Sequence, residues 1–288
     1  MRIGVLFPQH EIGNDPGAIR AYAQGVEEMG YHRILATEHV LGGSTVNRPE
    51  RREYFTNEKP FHEPFVLFGF LAAVTNRVEL MTAVLVLPLR QTALVAKQAA
   101  AVDVLSGGRL RLGIGVGDHA LEYEALNADF SNRGARSVEQ IEVLRALWTQ
   151  PVVRFDGQWH QIDEAGINPL PVQRPIPIWL GGHSEATIRR VGQFGDGWFP
   201  LSGPGEELQA GIERLHGYAR AGGRDPSAIG IETWLPLETV PEDDRVSRVE
   251  NWCDLGATHL TIDTMGLGLR APDEHLEQLR QVKELLGL

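Results

Sequence analysis

The pair Glu38-His39 is a candidate for proton transfer. An imidazole titrates near neutral pH, so His39 can donate or accept a proton in a reaction. The pair directly follows a short apolar run at residues 33–37, where a buried strand would end. The same position also suits a histidine that only orders its loop, so both interpretations stay open from position alone.

A second candidate is the glycine-rich stretch GIGVGD at residues 113–118. It resembles a dinucleotide-binding fingerprint, but Asp118 stands at the third glycine position and no simple βαβ unit follows. We therefore disfavour Rossmann-type binding. Gly115 and Gly117 would still let a ligand approach the backbone closely, and Asp118 would then face that ligand.

Two further turns have the composition of an anion site. The turn Gly181-Gly182-His183 comes after an apolar run and just before a predicted helix, where bare glycine N–H groups bind anions well. The turn Leu201-Ser202-Gly203 follows the next apolar run and would lie beside the first. Together they predict a phosphate site, and the alternative is two ordinary turns.

Other kinds of catalytic centre find little support in the sequence. His119 and Glu122 are three residues apart and could share a helix face, but two ligands are too few for a metal ion. No His-Glu-x-x-His or His-x-His pattern occurs, so we predict no metal site. Gly-x-Ser-x-Gly is also absent, which leaves a nucleophile elbow unsupported.

The elements that must position these residues alternate in a regular way. Short apolar, β-branched runs alternate with longer amphipathic segments, which is typical of a parallel sheet with crossover helices. The predicted strands span residues 2–7, 33–37, 78–87, 109–116, 176–180, 197–199, 229–235 and 259–263. Eight such strands predict a (β/α)8 barrel, with residues 1–288 as one domain. Barrel enzymes place their chemistry at the C-terminal strand ends, which is where the candidates above lie.

Two segments do not fit the alternation. Residues 42–63 form a long polar loop, of a length typical of a lid or binding loop. Residues 151–175 are rich in proline, glycine and turn residues, and we interpret them as an insertion. Within it we predict a hairpin that pairs residues 152–156 with 158–162 around Gly157.

Composition limits the partners and the compartment. The formal net charge of -11 argues against a nucleic-acid-binding face. Cys253 is the only cysteine, so no intrachain disulfide can form, and a cytoplasmic location is the simplest interpretation. No apolar stretch approaches the roughly 20 residues of a transmembrane helix, so we expect no membrane association.

Several stretches give the chain a resemblance to a known family. They are ATEH at residues 36–39, VELMTAVL at 78–85, DVLSGGRL at 103–110, LGIGVG at 112–117, PIWLGG at 177–182 and GDGW at 195–198. Taken together, they resemble the bacterial luciferase-like superfamily, and within it the coenzyme F420-dependent oxidoreductases. The similarity covers nearly the whole length.

The resemblance implies a cofactor and roles for particular residues. A deazaflavin ring, or FMN as the alternative, would lie in the barrel mouth against Thr82, Ala83 and Val84, with a non-prolyl cis peptide at Ala83–Val84. The pair Glu38-His39 matches positions that contact cofactor or substrate, and Asp118 matches an acid of sugar-phosphate dehydrogenases, one methylene shorter here. The two turns that contain Gly181, Gly182, Ser202 and Gly203 match phosphate-binding turns.

The resemblance also implies a reaction and an assembly. We expect hydride transfer between F420 and a small organic substrate, with His39 assisting proton movement. The alternatives are an FMN-dependent monooxygenase and a non-catalytic F420-binding or carrier protein, with a metal-dependent barrel hydrolase last. We expect a homodimer. Substrate contacts would come from residues 42–63 and 119–170, whose sequence does not identify the substrate.

Overall fold

The computed structural model describes residues 1–44 and 56–287 and shows a closed barrel of parallel strands surrounded by helices. The strands are β1 (Arg2–Leu6), β2 (Arg33–Ala36), β3 (Glu79–Thr82), β4 (Leu85–Val86), β5 (Leu110–Gly115), β6 (Val153–Asp156), β7 (Gln161–Ala165), β8 (Ile178–Gly181), β9 (Gly197–Phe199), β10 (Gly230–Pro236) and β11 (His259–Asp263). The helices are α1 (Pro16–Glu28), α2 (Pro64–Val74), α3 (Thr92–Ser106), α4 (Ala120–Ala125), α5 (Arg133–Thr149), α6 (Glu185–Phe194), α7 (Glu206–Ala221), α8 (Glu242–Asp254) and α9 (Pro272–Leu285).

The strand order confirms the predicted barrel. Neighbouring strands run β3-β2-β1-β11-β10-β9-β8-β5, and β5 also pairs with β3, which closes the ring. All of these pairings are parallel. The C-terminal ends of the strands therefore lie at one mouth, where parallel barrels carry their sites.

The third predicted strand is not continuous. Residues 78–87 contain two short strands, β3 and β4, and the chain between them passes through a cis peptide bond at Ala83–Val84. The expected cis bond is thus confirmed, and the expectation of one unbroken strand was wrong. Both pieces pair with β5, so they occupy a single position in the ring.

The insertion contains the predicted hairpin in a shifted register. β6 and β7 pair antiparallel, and Gly157 lies in the turn, as predicted. The second strand begins at Gln161 rather than at 158, because residues 157–160 form the connection, in which the Gly157 N–H donates to the carbonyl of His160.

The helices begin and end where their capping residues stand. Asp15 and Ser184 accept hydrogen bonds from first-turn backbone N–H groups of α1 and α6, and Glu63 does the same for α2. Gly107 ends α3 with a left-handed φ of 70°, a conformation that glycine adopts without strain. These local signals set the spacing of the strand–helix repeats.

Two features fill the barrel interior. Near the base, the side chains of Arg33 and Glu232 are fully buried and form an ion pair at 3.0 Å. An apolar cluster lies inside the strands and extends towards the mouth, and its buried members are Leu6, Leu35, Met81, Trp179 and Phe199.

The predicted loop at residues 42–63 is only partly described, since residues 45–55 lie outside the described residues. Within residues 1–44 and 56–287, no helix is long and apolar enough to cross a membrane.

Candidate functional site

A cleft of about 470 Å³ opens at the C-terminal mouth of the barrel. Most of the residues predicted from sequence line it, although they come from the ends of five different strands. They are Glu38, His39, Ala83, Val84, Gly115, Gly117, Asp118, Gly181, Gly182, His183 and Leu201. The fold thus brings together, at the C-terminal strand ends, residues that are up to 163 positions apart in the sequence, from 38 to 201.

Three of the predicted residues lie elsewhere. Thr82 is fully buried, and its hydroxyl donates to the carbonyl oxygen of Gly113 at 2.6 Å, so it supports the strand pair beneath the cleft. Ser202 and Gly203 line an adjoining cavity of about 210 Å³. That cavity shares Phe199, Leu201 and Trp234 with the cleft, so the two lie side by side.

Val84 and two glycines form one wall of the cleft. A Cβ on Gly115 would lie 2.7 Å from Cγ2 of Val84, and a Cβ on Gly181 would lie 3.1 Å from Cγ1. The absence of side chains at both positions therefore lets Val84 lie between β5 and β8. The result is a smooth, largely apolar surface of the kind that receives a flat ring.

His39 is oriented by a buried carboxylate. Its Nδ1 lies 2.9 Å from Oε2 of Glu122, a residue of α4 that is 1% exposed. The other oxygen, Oε1, accepts the backbone N–H groups of Val40 and Leu41 at 2.8 and 3.2 Å. Burial alone would raise the pKa of Glu122, but the hydrogen bonds from His39 and these two N–H groups outweigh it and lower that pKa.

An ionised Glu122 accepts hydrogen bonds only, so it fixes Nδ1 of His39 as the protonated nitrogen. Nε2 is then the nitrogen through which His39 can exchange a proton with a ligand in the cleft. The ring of Phe61 packs against the imidazole at an angle of 73°, with ring centroids 5.3 Å apart, and further restricts its orientation. We call His39 and Glu122 the histidine–glutamate dyad.

The fold places His39 beside His119 and Glu122, the two metal-ligand candidates considered in the sequence. Ligand atoms of His39, His119 and Glu122 all lie within 4.8 Å of one another. Both oxygens of Glu122 already accept hydrogen bonds in this arrangement. The absence of a metal site stays a prediction.

Glu38 faces an arginine rather than water. It is 4% exposed, and its carboxylate accepts hydrogen bonds from Arg90 and, at 3.0 Å, from the backbone N–H of Val86. Arg90 also binds Glu63 at 2.7 Å. Burial raises the pKa of Glu38, against the opposing effect of Arg90. The contacts indicate a residue that holds β4 against β2 beside the cleft.

The Gly181-Gly182 turn is partly used by the protein itself. The Gly182 N–H donates to the carbonyl of Phe199 at 3.1 Å, and the Gly182 carbonyl accepts from the indole of Trp198 at 2.7 Å. Gly182 has a φ of 122°, which favours glycine. His183 and Asp118 are exposed at the rim of the cleft.

Sequence reasoning missed one acid at the mouth. Asp263 ends β11, is 8% exposed, and accepts hydrogen bonds from the Met265 N–H at 2.8 Å and from the Trp234 indole at 3.2 Å. Burial raises its pKa to about 6. The strand-end rule could have selected it, since it is the last residue of the eighth predicted strand.

Comparison with known proteins agrees with this geometry. The chain is 39% identical over 260 residues to an uncharacterized protein of Mycobacterium tuberculosis (strain ATCC 25618 / H37Rv), which covers 89% of this chain and 85% of the relative. It is 31% identical over 277 residues to an F420-dependent glucose-6-phosphate dehydrogenase of Nocardia farcinica, with 88% of this chain and 79% of that protein covered.

A solved structure shows the same fold at low sequence identity. An F420-dependent secondary alcohol dehydrogenase in complex with an F420-acetone adduct superposes with a TM-score of 0.81 at 16% identity, over 99% of this chain and 98% of that chain. The sequence also matches the profile described as luciferase-like monooxygenase over residues 1–285. The chain therefore belongs to the luciferase-like monooxygenase family.

Proposed function

We propose that the protein is an F420-dependent oxidoreductase that transfers a hydride between the deazaflavin and a small organic substrate. The observation that carries the proposal is the position of the histidine–glutamate dyad beside a smooth apolar wall in the cleft. Similarity to two F420-dependent glucose-6-phosphate dehydrogenases supports F420 rather than FMN.

The residues of the cleft fit a flat tricyclic cofactor. One wall of the cleft carries only small side chains, at Ala83, Val84, Gly115 and Gly181. Val84 fills the space that a Cβ on either glycine would need. These four residues would hold the ring. A bound deazaflavin supplies two-electron hydride transfer, whereas a flavin can also react with oxygen.

The side chains around the cleft supply orientation and proton movement. Glu122 holds the imidazole of His39, and Nε2 of His39 would accept or donate the proton that accompanies hydride transfer at the substrate. His39 and Glu38 also line a neighbouring cavity of about 510 Å³, which includes Phe61 and Leu94. That cavity gives a substrate room beside the dyad.

The first test is a titration of the purified protein with F420 and, separately, with FMN, followed by intrinsic tryptophan fluorescence. Trp234 lines the cleft and should report occupancy. Tight F420 binding with weak FMN binding would support the proposal. A preference for FMN would instead support a monooxygenase, which oxygen uptake with reduced FMN would then test. Binding of neither cofactor would contradict the assignment.

The second test is turnover. Candidate substrates are glucose 6-phosphate and secondary alcohols, taken from the names of similar proteins. H39A should retain F420 affinity and lose at least about 100-fold in kcat, the range of general acid–base catalysis. Unaltered turnover in H39A would remove the proposed role of His39. Cofactor binding without turnover of any candidate would favour a non-catalytic carrier.

Two further properties are proposed from the resemblance. We propose a homodimer, which light scattering in solution would test directly. We also propose a cytoplasmic location, which fractionation of the source cells would test.

A further inference from the structure

The cavity of about 210 Å³ next to the cleft contains an arginine that has no acidic partner among the described residues. Arg248 of α8 lines this cavity. Within residues 1–44 and 56–287 it forms no ion pair or hydrogen bond, and its Nε is buried without an acceptor. Its guanidinium lies 5.4 Å from the centroid of the Trp252 ring. The chain has a net charge of -11, with more acidic than basic side chains, so acidic residues that could pair with an arginine are numerous in the sequence.

Trp252 provides a second, independent donor in the same cavity. It is 1% exposed, and its Nε1 also has no acceptor among the described residues. A buried donor without an acceptor destabilises a protein. Two such donors lining one cavity indicate a ligand that brings acceptor oxygens with it.

The turn at Ser202 and Gly203 lies close to the guanidinium across the cavity. A Cβ on Gly203 would lie 2.9 Å from Nη2 of Arg248, so a side chain at this position would require the guanidinium to move. Ser202 lines the cavity beside it and carries a hydroxyl. Glu232 also borders the cavity, but its carboxylate is fully buried against Arg33 at 3.0 Å and belongs to the barrel base.

We propose that this cavity binds a phosphate or carboxylate group of the substrate, with Arg248 as the principal cation and Trp252 as a further donor. A charged acceptor between an arginine and an indole N–H makes strong, charge-assisted hydrogen bonds. The cavity adjoins the cofactor cleft, with which it shares Phe199, Leu201 and Trp234 as lining residues, so a molecule held there by its anionic group lies next to the cleft. The assignment of the anionic group to the substrate rests on the proposed function. Anion binding at Arg248 does not depend on it.

The test uses inorganic phosphate as the probe, titrated calorimetrically into the cofactor-free protein at constant ionic strength, with chloride as the reference. R248Q should weaken phosphate binding at least about 10-fold, the effect of losing one hydrogen bond to a charged group. R248K should retain part of it. The control R280Q removes a positive charge from an exposed site on α9 and should bind phosphate as the wild type does.

Two outcomes would overturn anion binding: a wild type that does not bind phosphate, or an R248Q variant that binds it unchanged. If R248Q does not fold, W252F tests the same site and should also weaken phosphate binding. The source of the anion is tested by saturating the protein with F420 first. Phosphate binding that persists supports a substrate group. Phosphate binding that disappears, with weaker F420 affinity in R248Q, would assign the anion to the cofactor and refute the substrate assignment.

Discussion

Replacement of Asp263 by asparagine should stabilise the protein more at pH 8 than at pH 5. The carboxyl group is 8% exposed, and burial raises its pKa from 3.8 to about 6. The neighbouring carboxylates of Glu11 and Glu238 raise the pKa further, while the hydrogen bonds from Met265 and Trp234 lower it. Above pH 6 the folded protein must therefore keep a buried negative charge beside two other acids.

The sign follows from the pKa values of the two states. The folded carboxyl keeps its proton to higher pH than the unfolded one, so its stabilising contribution is complete below pH 3.8 and is lost as pH rises through about 6. A shift from 3.8 to about 6 corresponds to about 3 kcal/mol in total. Roughly half of this is already lost at pH 5, which leaves about 1.4 kcal/mol between pH 5 and pH 8.

Thermal unfolding of the wild type and D263N at pH 5, 6 and 8 measures this difference. The Tm of D263N relative to the wild type should rise by about 3 °C between pH 5 and pH 8, since 1 kcal/mol shifts Tm by about 2 °C in a chain of this size. Loss of the acceptor for the Trp234 indole adds an offset that does not depend on pH. Comparing the two proteins at each pH removes titrations they share, including that of His275, whose pKa burial lowers to about 4.

The control is D254N, which removes an exposed carboxylate at the end of α8 and should show no comparable dependence on pH. A Tm difference between D263N and the wild type that is constant, or that falls towards pH 8, would refute the argument. It would mean that the charged form of Asp263 is solvated as well in the folded barrel as in the unfolded chain.

Three further predictions concern the cleft and the barrel base. G115A places a methyl group 2.7 Å from Cγ2 of Val84, so the wall must shift and F420 affinity, measured by fluorescence, should fall at least about 10-fold. E232Q leaves Arg33 as a buried charge without a counterion and should lower the free energy of unfolding, measured in urea, by about 3 kcal/mol. E122Q keeps the size of the side chain but removes the charge of the dyad, so kcat should fall at least about 10-fold with little change in KM.

Each of these variants has a matched control. G69A adds a methyl group where no atom lies within 4 Å, so it should bind F420 as the wild type does. Replacing Arg33 and Glu232 together by methionine should recover much of the stability lost in E232Q. E124Q changes an exposed acid on the same helix as the dyad and should leave kcat unchanged. Equal behaviour of a variant and its control would contradict the corresponding prediction.

Most of the barrel could be predicted because buried parallel strands appear in a sequence as apolar runs between amphipathic segments. The break in the third strand could not be predicted in this way. Residues 78–87 are mostly apolar and show no break at Ala83 and Val84, and the cis bond between them came from the resemblance alone. The hairpin register was missed because Gly157 marks the turn but does not fix its length.

The site residues also differ in how well the sequence predicts them. The strand-end rule recovered His39 because position along a strand is visible in the sequence. Glu122 was counted only as a metal ligand, because its contact with His39 joins residues 83 positions apart and depends on how α4 packs. The position of Arg248 in a cavity could not be predicted from the sequence, because most arginines on surface helices are exposed to solvent.

The acids around the mouth have different environments, and these separate their roles. Glu38 accepts hydrogen bonds from an arginine and from a backbone amide, so its oxygens are used in holding two strands together. Glu122 accepts three donors, which keep its pKa low and its carboxylate ionised near neutral pH. Neither carboxylate is therefore arranged to exchange a proton with a ligand.

Asp263 and Asp118 complete the comparison. Asp263 has a raised pKa of about 6, but its oxygens accept from a backbone amide and a tryptophan indole, and its side chain does not line the cleft. Asp118 lines the cleft but is exposed at its rim, where water competes for any proton. His39 lines the cleft and is also oriented by an ionised partner, which is the arrangement that favours directed proton transfer. We therefore assign the proton step of the proposed reaction to His39 rather than to Asp118.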